Sequence, residues 1–439
     1  MVMDVASVKY KEQDVGAVSF DTETGIGSFE FEPRFIETGI ELSPIKMPLS
    51  RRIYSFPEAD PAAFNGLPGM IADSLPDDFG NAVLNAWIAS QGKSPADITP
   101  VQRLKYMGKR GVGALTYHPA ARKKNLNASQ HIEIQSLISI AQEILDKREQ
   151  FKAALGNQGH EDKEAMMALL SVGVSAGGAR PKAVLAFNSD FTQVRSGQTD
   201  VPEGYTHFIM KFDGVSEHNK DKETFGDPLG YGAMEYVYYL MAKACEIEMM
   251  PCRLLNEGNR RHFVTQRFDR EENTKRHVQT LNGLVHVSFK QVGAYSYAEL
   301  LATARELKLS ADDAMQIFRR MVFNVVARNH DDHSKNFAFM LDDQNQWKLA
   351  PAYDLAYSYK PGSRWVDSHW MKLNGKRDNF TRKDFYTFEK LSPLFSKRKI
   401  DRTIDEIKEH VSKWQSLAVE YSVPKSLVKL IGSNLRLRL

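Results

Sequence analysis

In the stretch RNHDDHSKNFAFM, residues 328 to 340, Asp331 and Asn336 stand five positions apart. An aspartate that takes the proton of an attacking hydroxyl, followed at this spacing by an asparagine that ligates a divalent cation, is the working pair of phosphoryl-transfer loops. The stretch follows an amphipathic helix and precedes an alternating apolar strand. Its charges therefore sit in a loop at the end of a buried element, where they need a reason. A solvated loop with an Asx turn is the competing reading of these residues alone. Asp354, in WKLAPAYDLAYS, is reached from Asn336 through FAFMLDDQNQ, a strand and then a turn-rich loop. A hairpin of that length returns the chain to its start and sets Asp354 beside Asn336. Two oxygen ligands, completed by phosphate oxygens and water, suit magnesium; an aspartate capping a turn is the alternative.

The stretch SVGVSAGGARPK, residues 171 to 182, is small and glycine-rich. A P-loop of the Walker type needs Gly-Lys-Ser/Thr and a helix directly after the loop. Here KAVLAF follows, which reads as a strand. What survives is a strand-loop-strand cover in which Gly177 and Gly178 let backbone N–H groups approach a phosphate, or else a plain turn. Lys211, in HFIMKFDG, falls on a later strand, where a lysine can pair with the α- and β-phosphates of a nucleotide if a helix glutamate orients it. Glu235 is the only acid between Asp227 and Glu246 and is the candidate partner. A snorkelling lysine and a surface glutamate are the plain alternatives. Glycine loop, strand lysine, helix glutamate, Asp-x4-Asn and hairpin aspartate follow one another in the order of a protein-kinase fold.

The elements that must position these residues are legible as changes of hydrophobic period. Short alternating stretches from Val5 to about Glu41, such as VGAVSF and GSFEFEPRFI, predict β-hairpins. Prolines and glycines precede a helix in DDFGNAVLNAWIAS, and the polar HPAARKKNLNASQ marks a boundary near residue 125. A helix follows through Ile134, Leu137, Ile138, Ala141, Ile144 and Leu145. Strands are then predicted in AVLAFN, THFIMKFDG and HFVTQRFD, with the helix GAMEYVYYLMAKACEI between the last two. The later half is mainly helical: Ala314, Ile317, Phe318, Met321, Val322 and Val325 share one face, and a similar pattern runs through Ile404, Ile407, Val411 and Trp414.

Composition sets the frame. The chain has 439 residues, and 58 basic against 55 acidic side chains leave a balance too even to imply nucleic-acid binding by overall charge. Cys245 and Cys252 have no second pair or histidine cluster near them, so both read as reduced core residues and not as zinc ligands or a disulfide framework. The start, MVMDVASVKYKEQDVG, lacks a basic segment followed by an apolar run, and no eighteen or so apolar residues run together. The expectation is a soluble, cytoplasmic chain with no membrane partner.

On these motifs the sequence resembles the HipA kinases, the toxin component of bacterial HipBA toxin-antitoxin pairs. GLPGMIADSLPDDFG looks like the family's N-terminal signature, SAGGARPK resembles its glycine-rich loop, and RNHDDHSKNF with PAYDLAYS resembles its catalytic and metal motifs. The resemblance covers most of the chain. It implies an α+β, bilobal protein-kinase-like fold with a small, mainly β N-terminal subdomain and a mostly helical C-terminal lobe. The expected parts are 1–125 for that subdomain, 126–270 for the N-lobe-like part with the glycine-rich loop, and 271–439 for the helical lobe. The implied activity is ATP- and Mg2+-dependent serine/threonine phosphorylation.

Carried over residue by residue, the resemblance makes Asp331 the catalytic base and Asn336 and Asp354 the magnesium ligands. Ser175, Ala176, Gly177, Gly178, Ala179, Lys211, Glu235, Gln266, Phe268, His333 and Lys335 become the nucleotide-binding set. TQRFDR looks like the hinge that meets adenine; Gln266 stands where the best-known family pattern has an acid, so backbone groups take the adenine contact. Ser175 matches the loop serine that family members autophosphorylate, and a phosphate there would repel those of ATP. The implied partners are a dimeric HipB-like helix-turn-helix antitoxin, operator DNA through that complex, and a protein substrate in translation such as an aminoacyl-tRNA synthetase. Basic clusters such as KRKIDR and Lys372 to Lys383 are candidates for phosphate contacts in such a complex, or a solvated face. Two other readings stay open: a small-molecule phosphotransferase of the aminoglycoside or choline type, and a non-catalytic repressor partner.

Overall fold

The computed structural model describes residues 4–120, 134–146, 180–216 and 226–439. The glycine-rich residues 171–179 and the boundary expected near residue 125 lie outside the described residues. The chain forms two compact units: Met1–Leu42, Met47–Gly232 and Cys252–Val278 make the first, and Ser43–Lys46, Ala233–Pro251 and Gln279–Leu439 the second.

The first unit opens with β1 (Asp4–Tyr10), β2 (Gln13–Asp21) and β3 (Ile26–Phe31), joined as successive antiparallel neighbours. They alternate buried and exposed residues, as one half-buried face requires. GSFEFEPRFI is not one strand, because Pro33 cannot donate to the ladder and the chain instead forms a helical turn over Pro33–Ile36. The two-residue β4 (Tyr54–Ser55) closes one edge of this sheet. Two helices follow, α1 (Asp78–Ser90) and α2 (Pro100–Met107), and then β5 (Leu115–His118) pairs with β1 on the other edge. Helix α3 (Ile134–Asp146) lies where the apolar period places it.

A second sheet of this unit has five antiparallel strands. They are β6 (Lys182–Asn188), β7 (Val194–Ser196), β8 (Tyr205–Lys211), β9 (Cys252–Glu257) and β10 (Arg260–Gln266), in the spatial order β9-β10-β8-β6-β7. Phe79, Val83 and Trp87 of α1, with Leu137, Ile138 and Ala141 of α3, form one core with Leu185 and Phe187 of β6, Phe208 and Met210 of β8, and Val264 of β10. One ion pair is sealed beside it: Lys182 Nζ lies 3.0 Å from Asp77 Oδ2, with only 6% and 5% of the two side chains exposed.

Helix α4 (Tyr231–Ala244) begins at the end of the first unit and continues in the second. Strand β11 (Val278–Thr280) joins a sheet with the hairpin β12 (Ala338–Leu341) and β13 (Trp347–Leu349). The second unit is otherwise helical: α5 (Tyr297–Glu306), α6 (Ala311–Val326), α7 (Lys397–Val411), α8 (Trp414–Glu420) and α9 (Lys425–Asn434). Helix α6 starts at a capping box between Ser310 and Asp313 and buries the expected face from Ile317 to Val326. The pattern through Ile404 and Trp414 belongs to two helices, since the chain bends at Ser412 and Lys413 before α8. Trp414 meets the Tyr238 ring edge-on at 5.6 Å and donates its indole N–H to Val428 O at 3.1 Å. Cys245 and Cys252 are buried free thiols, and burial pushes the Cys245 thiol up to about 12. Among the described residues no helix is long and apolar enough to cross a membrane.

Asp77 has two tasks, because its Oδ1 also accepts the Gly80 N–H at 2.6 Å as the N-cap of α1. Asp77→Asn keeps a capping oxygen but removes the carboxylate charge beside the buried Lys182, and is expected to cost about 3 to 5 kcal/mol in urea unfolding of the full chain. Asp77→Ala should cost about 1 kcal/mol more through loss of the cap.

Candidate functional site

The catalytic-loop candidate begins where α6 ends. Ala327 O accepts the buried Tyr238 hydroxyl at 2.6 Å, and Arg328 turns the chain with a φ of 59°. Arg328 is held there by its Nε bond to Asn434 O at 2.7 Å. Asn329 then folds back on the helix, its backbone N–H bonding Asn324 O and its side-chain Nδ2 bonding Asn324 Oδ1, both at 2.9 Å.

After His330 come two aspartates, which meet opposite surroundings. The Asp331 side chain is 42% exposed, and His333 Nε2 stands 3.7 Å from its Oδ1, close but beyond a hydrogen bond. The Asp332 side chain is fully buried. Its Oδ2 accepts the Tyr297 hydroxyl at 2.6 Å and lies 2.9 Å from His369 Nδ1, while its Oδ1 accepts the backbone N–H groups of Trp370 at 2.7 Å and Met371 at 3.4 Å. Tyr297 also accepts from Asn324 Nδ2 at 3.0 Å. Burial, and after it the Asp332 carboxylate, push the Tyr297 phenol well above its ordinary value, so it stays a donor.

The rest of the loop is fixed from behind. Asn336 Nδ2 donates to Asp331 O at 2.8 Å, closing the five-residue span on itself. Ser334 Oγ bonds Val287 O at 3.1 Å. The His333 ring lies between Phe289 and Trp370, with centroids 5.8 and 5.6 Å away, and the Lys335 ammonium sits 4.3 Å over the Phe289 ring.

The hairpin brings Asp354 back as its length predicts. Asp313 of the α6 capping box accepts Leu349 N–H at 3.2 Å, Arg320 bonds Ala350 O at 2.8 Å, and Ala352 N–H bonds Glu248 O at 2.8 Å. Tyr353 then donates its hydroxyl to Lys335 O at 2.6 Å, so Asp354 and Asn336 are the chain neighbours of one hydrogen bond. Asp354 takes a left-handed φ of 53°, a conformation aspartate tolerates better than most residues, and its carbonyl accepts from Asn329 Nδ2 at 3.5 Å. Asp331, His333, Lys335, Asn336 and Asp354 thus belong to one locality of the second unit.

The remaining candidates are distributed differently. Lys211 ends β8 in the first unit, in register between Lys182 of β6 and Phe263 of β10, with its ammonium 5.8 Å from the Phe263 ring. At 6% exposure it is no snorkelling lysine. Glu235, on α4 in the second unit, is 3% exposed and so not a surface glutamate. Gln266 and Phe268 are half-buried at the end of β10, where Arg267 N–H bonds His207 O at 2.9 Å and Asp269 receives Arg267 through two bonds of 2.8 and 2.7 Å. Ser175, Ala176, Gly177, Gly178 and Ala179 lie outside the described residues.

Sequence reasoning missed Tyr297, Asn324, Asn329 and His369, and took Asp332 only as a second acid of the loop. The available signal was the doublet itself, since two adjacent aspartates at a buried element cannot share one environment. The basic clusters are partly engaged within the chain: Lys376 pairs with Asp384 at 2.9 Å, Arg377 bonds His369 O at 2.7 Å, Arg382 pairs with Asp401 at 3.1 Å, and Arg402 pairs with Glu406 at 2.7 Å.

The architecture is α+β and protein-kinase-like, with a mainly β first unit and a mostly helical second. HipA of Shewanella oneidensis MR-1, solved with HipB and its operator DNA, superposes with a TM-score of 0.66 over 98% of this chain and 95% of that one, at 15% sequence identity. The HipA N-terminal domain matches residues 6–118 and the HipA-like C-terminal domain residues 174–414, and the chain belongs to the HipA family. Curated relatives include "Putative kinase Y4mE" of Sinorhizobium fredii, 26% identical over 26% of this chain, and a "Putative kinase" of Haemophilus influenzae, 31% identical over 21% of it. The matches span 30% and 29% of those relatives' own lengths.

The two aspartates should respond oppositely to truncation. Asp332→Ala leaves Tyr297, His369 and two backbone N–H groups without their acceptor and is expected to cost about 3 to 5 kcal/mol, with faster amide exchange at 370 and 371. Asp331→Ala should change stability by no more than about 0.5 kcal/mol. A second expectation concerns acid. Burial, then His369 and Arg328, push His330 down to about 2 from an ordinary 6.5, so the folded chain holds it neutral. Only the unfolded chain takes up that proton as the pH falls below about 6.5, so stability is present above that pH and lost below it, by about 1.4 kcal/mol per unit from this group. The urea midpoint should fall between pH 7 and 5, and less steeply in His330→Gln.

Proposed function

We propose that this chain is an ATP- and Mg2+-dependent serine/threonine protein kinase acting as the toxin of a HipBA-type pair. The observation that supports this reading best is the split of the aspartate doublet: Asp332 is consumed in holding the loop, while Asp331 stays accessible beside a locked Asn336. An acceptor hydroxyl loses its proton to Asp331 as its oxygen attacks the γ-phosphorus, and ADP departs. Little covalent help is needed for such a transfer; position and charge neutralisation do most of the work.

The residues fit the cation. The Asn336 amide hydrogen side is spent on Asp331 O, which leaves its oxygen as the ligating atom, and Asp354 supplies a carboxylate from the neighbouring turn. Among the described residues no group of three or more His, Cys, Asp or Glu is placed to hold a metal. That suits magnesium, which takes one or two protein ligands and fills its octahedron with phosphate and water, whereas zinc would require more. When bound, Mg2+ offsets phosphate charge. In this reading Lys211 pairs with the nucleotide phosphates and Glu235 orients it, the Gln266 to Phe268 segment meets adenine, and His333 and Lys335 flank the phosphates. Ser175 to Ala179 form the phosphate-covering loop, with Ser175 as the autophosphorylation site.

The Shewanella oneidensis HipA assembles with HipB and operator DNA. By family, we assign this chain a HipB-like antitoxin dimer, co-repression on operator DNA through it, and a protein substrate in translation such as an aminoacyl-tRNA synthetase. The small-molecule phosphotransferase reading is less favoured, because only one of the two loop acids is accessible to an amine-bearing substrate.

The test is intact-mass spectrometry of the purified chain before and after Mg-ATP, with peptide mapping. One phosphate at Ser175 is expected, absent in Ser175→Ala and slowed about 100- to 10,000-fold in Asp331→Asn. Protein that stays unmodified while phosphate passes to amino sugars or amino alcohols would replace this reading with the small-molecule one.

A further inference from the structure

We infer that the first unit carries a second anion site, remote in sequence from the catalytic loop, for a small molecule bearing two or more phosphate groups. The site is a cavity of about 610 Å³ lined by the turn after β1, helix α2 with the turn that follows it, β5, the stretch after β7, β8 and the stretch after β10. These contribute Lys11, then Lys105, Lys109 and Arg110, then Arg270 and Lys275, against only two lining acids, Glu12 and Asp200.

Partnering sorts these cations into two groups. Lys109 pairs with Glu12 at 3.0 Å, Lys105 with Asp4 at 3.2 Å, and Arg270 with Asp269 at 2.6 Å. Arg110, Lys275 and the exposed Lys11 form no ion pair with a carboxylate among the described residues, and Asp269 and Asp200 attract Lys275 only from farther off. Arg110 is 5% exposed; its Nε bonds Met107 O at 3.3 Å, Nη2 bonds Tyr106 O, and the buried Nη1 bonds nothing. Half-buried Lys275 bonds only the Lys109 carbonyl.

A buried cation without an anion is unfavourable, since desolvation is not offset by attraction. The surroundings carry that cost: burial pushes Arg110 down to about 10, and burial followed by Arg270 and Arg267 pushes Lys275 well below its ordinary value. An anion in the cavity would supply the absent partner to both. Phosphate fits better than a lone carboxylate, because a guanidinium fork and ammonium groups from separate segments converge on one space. The volume lies in the range of nucleotide-sized ligands. Nucleic-acid duplexes are met by rows of cations on an open face, whereas Arg110 and Lys275 lie within the cleft.

The test is calorimetric titration of the full chain with inorganic tripolyphosphate at low salt, in the Lys211→Met background so that the ATP site does not report. One bound anion per chain is expected, weakened at least about 10-fold by Arg110→Gln and by Lys275→Gln, with urea midpoints confirming that both variants fold. Lys275→Gln should leave Mg-ATP-dependent phosphate incorporation unchanged, so failure here and failure of the kinase reading are separable. The site is overturned if tripolyphosphate does not bind in that background, if both variants bind it as the parent does, or if Lys275→Gln loses affinity only for duplex DNA.

Discussion

The candidate catalytic loop of this protein depends on one buried carboxylate. Asp332 accepts from the Tyr297 hydroxyl, from the Trp370 and Met371 backbone, and lies against His369, so a single side chain joins α5, the loop after α6 and the segment 369–371. Hydrogen bonds to a carboxylate in a dry interior are stronger than neutral ones, and leaving any of them unmade is costly. The same network runs on through Tyr297, Asn324 and Asn329 to the carbonyl of Asp354. The residue that holds the loop is thereby connected to the turn that carries the second candidate cation ligand.

The first unit meets the same constraint with different residues. Burying Lys182 beside the hydrophobic core is possible because Asp77 is buried with it, and Asp77 also starts helix α1. At the end of β10, Asp269 sits among two arginines and the Gly113 N–H. Burial raises its carboxyl, but Arg267 and Arg270 outweigh that and hold it below the usual carboxylate range. Arg270 also bonds Gly111 O at 2.8 Å, which ties the strand end to the chain before β5. Charge is thus buried in this unit mostly as satisfied clusters, and Arg110 stands out because it has no ion pair among the described residues and its Nη1 bonds nothing there.

Much of the fold was legible because it follows periods. The continuous apolar run AVLAFN and the stretch THFIMKFDG mark two neighbouring strands of the five-stranded sheet, and the spacing from Ile317 to Val325 marks the buried face of α6. The expectation failed where one local rule outranked the pattern: Pro33 ended a run that otherwise alternates, and the bend at Ser412 divided one apolar stripe between two helices. Within the site, the Asp331 to Asn336 spacing and the hairpin return of Asp354 could be read from loop length alone. The hydrogen bonds Asn336 to Asp331 and Tyr353 to Lys335 express those two readings in structure.

By itself the sequence determined the order of the elements, the residues proposed for phosphoryl transfer, and the loop that carries them, since each follows from types and spacings within a few tens of residues. Only the tertiary structure decided which of two adjacent aspartates is presented and which is spent. That choice rests on Tyr297 and His369, 35 and 37 positions from Asp332, and no local pattern encodes it. The same holds for the fates of Lys182 and Arg110: one finds a carboxylate 105 positions away and the other finds none among the described residues, because burial and partnership are properties of the packed chain.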